Sequence, residues 1–139
     1  MRAYSSKFIA LFVAASGAAA CDKGPAYVRP PASEYTLATF VLSAPPSVDT
    51  VQAATISQEF ERVIGIRPII GRLFVADEFR QPQSHTAVIS YALWQRRFAG
   101  DPTIIGRQIQ LDGQNTVVVG VTPANFEYPK GAALWLPRH

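Results

Sequence analysis

A catalytic site needs a nucleophile with a base in reach, or carboxylates and imidazoles spaced to share a metal. The bases on offer in this 139-residue chain are His85 and His139, beside the hydroxyls of Ser57, Ser84, Ser90 and Tyr91 and ten scattered carboxylates. Ser84 directly precedes His85. Adjacent residues of an extended segment point to opposite faces, however, so neighbours in the chain do not form a Ser-His pair. His85 is read as a solvated loop histidine before a strand. No Gly-x-Ser-x-Gly elbow is present. Two histidines separated by most of the domain have no metal-ligand spacing. Asp77-Glu78 would need further oxygens to hold a hard cation, and the pair is read as a solvated loop. The stretch "GDPTIIG", Gly100 to Gly106, lacks the Lys-Ser/Thr of a phosphate loop and follows a helix, so it reads as a capped helical turn. No catalytic, cofactor or metal residue is assigned, and the expectation is a protein that is not an enzyme.

The aromatic and basic residues point to packing. Tyr91, Trp94 and Phe98 fall on one narrow face of a helix, the spacing needed to cover a sheet, and Trp135 suits a strand doing the same. Arg96-Arg97 is the only adjacent basic pair, on the other side of that helix, and is read as solvated. The formal charge of +3 includes Arg2 and Lys7, and without them eleven basic residues face ten acidic ones. Such a balance is no footprint for nucleic acid, which requires basic side chains clustered on one surface.

Residues 1–20 have the form of an export signal. Arg2 and Lys7 supply positive charge, Phe8 to Ala15 an apolar core, and Ala18-Ala19-Ala20 the small residues a peptidase needs. The apolar run is shorter than the ~20 residues of a membrane-spanning helix. Cys21 is the only cysteine, which excludes an internal disulfide. Its place directly after Gly17-Ala18-Ala19-Ala20 resembles a bacterial lipobox, with Ala18 where that motif usually has Leu. The resemblance implies that Cys21 is acylated and becomes the mature N-terminus. Asp22 resembles the signal that retains lipoproteins in the inner membrane. Residues 21–50 then form the lipid-attachment cysteine and a Pro-rich tether with one possible strand, Leu37 to Leu42, closed by Pro45-Pro46.

The elements that must position these residues become clearer from Val51. A strand is expected through Ile56, then a short helix capped by Ser57 and ended by Gly65, with Phe60, Val63 and Ile64 as its apolar stripe. Pro68 and Gly71 make the next stretch irregular, and Asp77 to Ser84 reads as a polar loop. Thr86 to Ile89 is a strand. Ser90 caps the helix Tyr91 to Phe98, which Gly100 closes, and Asp101-Pro102 starts a helical turn. Asp112-Gly113 marks a hairpin whose return strand runs toward Pro123, and a short apolar end follows. The fold class is α+β, a small mixed sheet with short packed helices and a C-terminal β-hairpin.

Several segments together carry a family resemblance: Gly71-Arg72-Leu73-Phe74, Leu93-Trp94-Gln95-Arg96-Arg97-Phe98, Gly100-Asp101-Pro102, Ile105-Gly106-Arg107, Asp112-Gly113, Val119-Gly120-Val121 and Leu134-Trp135-Leu136-Pro137. From about Val51 to Pro137 the chain resembles the periplasmic core domain of MacB-like ABC transporter permeases. Residues 51–139 are thus expected to be a partial domain of that kind. The resemblance implies a noncatalytic extracytoplasmic module that contacts partner proteins, with a permease or another envelope protein as the expected partner. Such permeases also carry membrane helices and a longer domain, so this chain is expected to be a stand-alone lipoprotein or a remnant. The expected location is the periplasmic face of the inner membrane, through a lipid anchor. The competing class is a small exported ligand-binding or hydrolytic lipoprotein that reuses the fold. A convergent nucleophile, base and oxyanion hole would favour that class, and an open strand edge would favour an interaction module.

Overall fold

The computed structural model describes residues 28–139. Cys21, the expected signal over 1–20 and the first part of the tether lie outside the described residues. After a 3-10 turn at Ala32–Glu34, strands β1 (Tyr35–Ala44) and β2 (Ser47–Ile56) form a ten-pair antiparallel hairpin. The sheet therefore begins before Val51, within the stretch read as tether. Pro45-Pro46, read as the end of a strand, is instead the turn of this hairpin. Helix α1 (Gln58–Ile64) follows, then β3 (Ile70–Gly71), α2 (Ala76–Arg80), β4 (Thr86–Ile89), α3 (Tyr91–Phe98), a 3-10 turn at Pro102–Ile104, and strands β5 (Gln108–Leu111), β6 (Gln114–Val121) and β7 (Leu134–Pro137).

The strands pair in the order β3-β6-β4-β7-β2-β1-β5, and β5 pairs again with β6. Following these pairings from β6 leads back to β6, so six strands close into a ring, with β3 added outside it. The expected mixed sheet is present, but it is closed. The β5–β6 hairpin forms at Asp112-Gly113 as expected, with both residues at positive φ. It is not the last element, because β7 passes on to lie parallel to β2 and antiparallel to β4.

Closure creates an inside and an outside, and the two-residue strand period fills each. Leu42, Val51, Ala53, Ala87, Ile89, Ile109, Leu111, Val118 and Leu134 belong to one buried cluster, with Leu93, Trp94 and Phe98 of α3 packed into it. The alternate residues Ala54, Ile56, Val88 and Trp135 belong to a second, on which Phe60 and Ile64 of α1, Phe74, Phe79 and Phe126 pack. A β-bulge shifts the phase of β6. Ala87 pairs with Val118 and Val88 with Gly120, so Val119 is unpaired with β4. Val119 then joins the outer cluster while Val118 and Val121, three apart, both join the inner one.

Asp77-Glu78 is not a solvated loop. Both residues lie in α2, and Glu78 is 6% exposed. The helix is short and Val75 offers no capping hydroxyl. Its N-terminus is held instead by the Glu78 carboxylate, which accepts from Val75 N–H at 2.8 Å. The other helix ends follow their expected residues. Ser57 and Ser90 accept from Phe60 N and Leu93 N, and Gly65 ends α1 at φ 59°. At the end of α3 the left-handed residue is Ala99, one before the expected Gly100, which is left-handed too.

The tightest crossing lies where β3 meets β6. A Cβ on Gly120 would sit 2.1 Å from Arg72 O, and one on Gly71 would sit 2.2 Å from Val119 O. Neither oxygen has freedom to move, since both belong to backbone, and Arg72 N donates to Val119 O at 2.8 Å. Gly120→Ala is expected to lower stability by about 1–3 kcal/mol through overpacking alone. The urea midpoint of the variant measures it, and an unchanged midpoint would show that the two strands separate freely.

Candidate functional site

The two ends of the ring differ in chemistry. At one end, α3 lies across the β1–β2 turn. The guanidinium of Arg97 donates to Ala44 O at 2.7 Å and to Ser47 O at 2.9 Å, and Arg96 pairs with Asp49 at 2.6 Å. The pair read as solvated therefore clamps the hairpin tip. Arg96, by its hydrogen bond, holds the exposed Asp49 carboxyl below its ordinary range. The pair is open to solvent and screened, so its weight in stability is small. Behind it, Trp94 Nε1 donates to Asp101 O at 2.9 Å, and Asp101 accepts from Thr103 N–H at 3.0 Å, capping the turn expected in "GDPTIIG".

At the other end a recess of about 190 Å³ is lined by Phe40, Thr55, Ser84, His85, Thr116 and His139 among others. The fold thus brings the two histidines, remote in the chain, to one mouth. Gln114 Nε2 lies 2.8 Å from His85 Nε2, so the His85 ring is engaged by an amide at the rim of the recess. Among the described residues no group of three His, Cys, Asp or Glu side chains is placed to hold a metal ion. The hydroxyls of Ser57 and Ser90 are engaged as helix caps. Tyr91 is half-buried with its ring 5.9 Å from Trp94. Trp135 donates to Tyr128 O and packs in the outer cluster.

Sequence reasoning missed the charge cluster where α1, α2 and the segment after β3 meet. Arg72 grips Glu78 through two contacts of 3.0 Å, one to each carboxylate oxygen. Burial opposes the Glu78 charge, but Arg72 and the Val75 N–H outweigh it and hold the carboxyl below its usual range. Glu61 of α1 reaches the same place, accepting from Phe74 N–H at 2.7 Å. Its carboxyl is pushed up to about 7, mainly by burial, with the neighbouring Glu78 charge adding to it. The signal was present in "GRLFVADE", where Arg72 precedes Glu78 by six residues, but no local rule pairs residues across such a turn.

Because Glu61 binds its proton more tightly folded than unfolded, the stability this proton supplies is fully present below about pH 4.5. It is lost as the pH rises through about 7. The melting temperature is expected to fall between pH 6 and pH 8, and Glu61→Gln, which keeps an acceptor for Phe74 N–H, to flatten that fall. Thermal melts of both proteins at the two pH values check it, and equal slopes would remove Glu61 as the cause.

The comparisons bear on this geometry. A family model, the MacB-like periplasmic core domain, matches residues 14–138, reaching well before Val51. No curated protein matches the chain. Among solved structures, the fold is similar to the extracellular domain of the noncanonic ABC-type transporter YknZ from Gram-positive bacteria, at 17% identity and a TM-score of 0.62, covering 75% of this chain and 52% of that one. It is also similar to the periplasmic region of MacB from Actinobacillus actinomycetemcomitans, at 20% identity and a TM-score of 0.61, covering 75% and 46%. A domain of a putative permease protein from Porphyromonas gingivalis has 20% identity and a TM-score of 0.56, covering 75% and 44%. The chain spans about half the length of the solved domains it matches. With the family model matching nearly its whole length and the closed sheet sharing the fold of these domains, the chain belongs to the MacB-like periplasmic core domain family.

Proposed function

We propose that this chain is a noncatalytic extracytoplasmic interaction module, associated with an ABC transporter permease or another envelope protein. The observation that carries the reading is the family match over residues 14–138. The use of the reactive side chains agrees with it. Ser57 and Ser90 cap helices, Glu78 is locked to Arg72, and His85 contacts an amide. The hydrolytic alternative would need a nucleophile aligned with a base, and these contacts engage the groups elsewhere.

The proposal extends to location. Cys21, following a positive segment, an apolar run and small residues, is the lipid-attachment site, and Asp22 keeps the protein on the periplasmic face of the inner membrane. Two or more acyl chains supply the double anchor that stable membrane attachment requires. Among the described residues no helix is long and apolar enough to cross a membrane.

Expressed in a Gram-negative host, the full chain is expected in the inner-membrane fraction with an acylated N-terminal peptide, and Cys21→Ala in the soluble periplasmic fraction. Recovery of both forms as soluble protein with an unmodified N-terminus would reject the anchor. The module itself is tested by cross-linking in the native envelope, where a permease subunit is the expected partner. His85→Ala is expected to leave that complex and any cellular phenotype intact; loss of the phenotype in a His85→Ala protein that folds normally would argue for chemistry at the recess.

A further inference from the structure

The segment between β3 and β4 is tied to β6 at both ends and runs as a strap between them. Arg72 N donates to Val119 O at 2.8 Å, and Val117 N donates to His85 O at 2.9 Å. The backbone bonds in between are local: Glu78 N donates to Val75 O, Gln81 N to Asp77 O and Ser84 N to Gln81 O. Val75 N–H also stays within the strap, on the Glu78 carboxylate. Among the described residues, the one backbone N–H of residues 73–84 that donates to another element is that of Phe74. Its acceptor is the Glu61 carboxyl of α1, at 2.7 Å. The Arg72–Glu78 pair folds the strap onto its own root, and Phe74 and Phe79, edge to face at 5.7 Å, pack it into the outer cluster.

Glu61 makes no ion pair among the described residues. The charged groups that face it are Arg72 and Glu78, and the Arg72 guanidinium is already occupied by both oxygens of Glu78. On α1 itself, Glu59 and Arg62 pair with each other at 2.9 Å in solvent. The strands beneath bring only Ile56, Val88, Thr122 and Trp135 to the same small space, and the β6–β7 connection brings Phe126, with Glu127 exposed beside it. A neutral carboxyl suits these surroundings and still accepts from Phe74 N–H. An ionised one sets a second negative charge beside Glu78 in an apolar setting, while Glu61, only half-buried, has water within reach of a rotated side chain.

We propose that Glu61 is a proton-operated latch: protonated, its carboxyl holds the strap of residues 73–84 against α1, and ionised, it turns to water and lets the strap open while the ring stays closed. With the strap shut the carboxyl titrates at about 7, and with the strap open it regains its ordinary value of 4.5. The latch is therefore at full strength below about pH 4.5 and is lost as the pH rises through about 7. Opening is local because no strand of the ring runs through residues 73–84. Its effect is to loosen Phe74 and Phe79 from the outer cluster together, since both lie on the strap. This inference goes beyond the permease-associated role and holds whether or not a permease is bound.

The test is amide hydrogen exchange on the full chain carrying Cys21→Ala, read residue by residue by NMR between pH 5 and pH 8 and corrected for the intrinsic exchange rate. The strap amides of Phe74, Val75 and Glu78 are expected to be less protected at every pH than Val118 and Thr122, whose N–H groups donate within the ring and at its end. Protection of Phe74 should fall by about fiftyfold from pH 5 to pH 8. Glu61→Gln, which keeps an acceptor but cannot ionise, should hold that protection level across the range. Glu61→Leu, which offers no acceptor, should leave Phe74 weakly protected throughout, while Val118 and Thr122 stay protected and report an intact ring. Strap amides as protected as those of the ring would mean that the strap opens only when the whole molecule unfolds, and would overturn the proposal. So would a pH dependence of Phe74 that survives in Glu61→Gln, or full protection of Phe74 in Glu61→Leu.

Discussion

Ring closure rests on Asp112. One residue in a two-residue turn shapes the β5–β6 hairpin, and its carboxylate and amide fasten that hairpin to Val41 of β1. Without this junction and the adjoining pairs of β1 with β5, β7 would be the only strand joining the β1–β2 hairpin to the rest of the sheet, and the inner residues Leu42, Leu111 and Ile109 would face water rather than one another. An interior this narrow is filled by medium-sized side chains from every strand. The end near the hairpin tip is covered by α3, whose Leu93, Trp94 and Phe98 complete the same cluster. The outer cluster depends on the ring in turn, since Phe60, Phe74 and Phe126 have a surface to pack on only once β2, β7, β4 and β6 are side by side.

The polar side chains follow the same logic at the edges of the helices. Arg97 satisfies two carbonyls at the β1–β2 tip, Arg72 and Glu78 tie the segment after β3 to α2, and Glu61 ties α1 to Phe74. Each joins segments too short to hold themselves. A five-residue helix has too few internal hydrogen bonds to stand alone, so α2 persists because Glu78 binds its N-terminus and Phe79 is buried beneath it.

What could be read from the sequence was what local chemistry determines. Tyr91 to Phe98, Thr86 to Ile89 and the Asp112-Gly113 turn carry their own caps, periods and turn residues, and all appear as expected. Strand β1 was underestimated because its exposed half, Thr36 to Thr39, shows no alternation to read, and Pro45-Pro46 looks like an end when two strands are not yet paired. Helix α2 was taken for loop because its capping group is Glu78 itself. Closure of the sheet was beyond reach of any window, since it joins Leu42 to Leu111 and Thr86 to Val117. The same holds at the site level. Chain separation argued against His85 and His139 meeting, yet the antiparallel pairing of β4 with β7 carries them to one mouth.

The position of β7 has a consequence for how the molecule is made. Leu134–Pro137 comes after the other strands of the ring in chain order, yet it sits between β2 and β4, with Leu134 wholly buried in the inner cluster and Trp135 in the outer one. Earlier strands can form hairpins as they emerge, but the ring cannot shut until this one enters, and both clusters stay incomplete until then. Folding that starts from the β1–β2 hairpin therefore cannot finish until β7 has joined both of its neighbours.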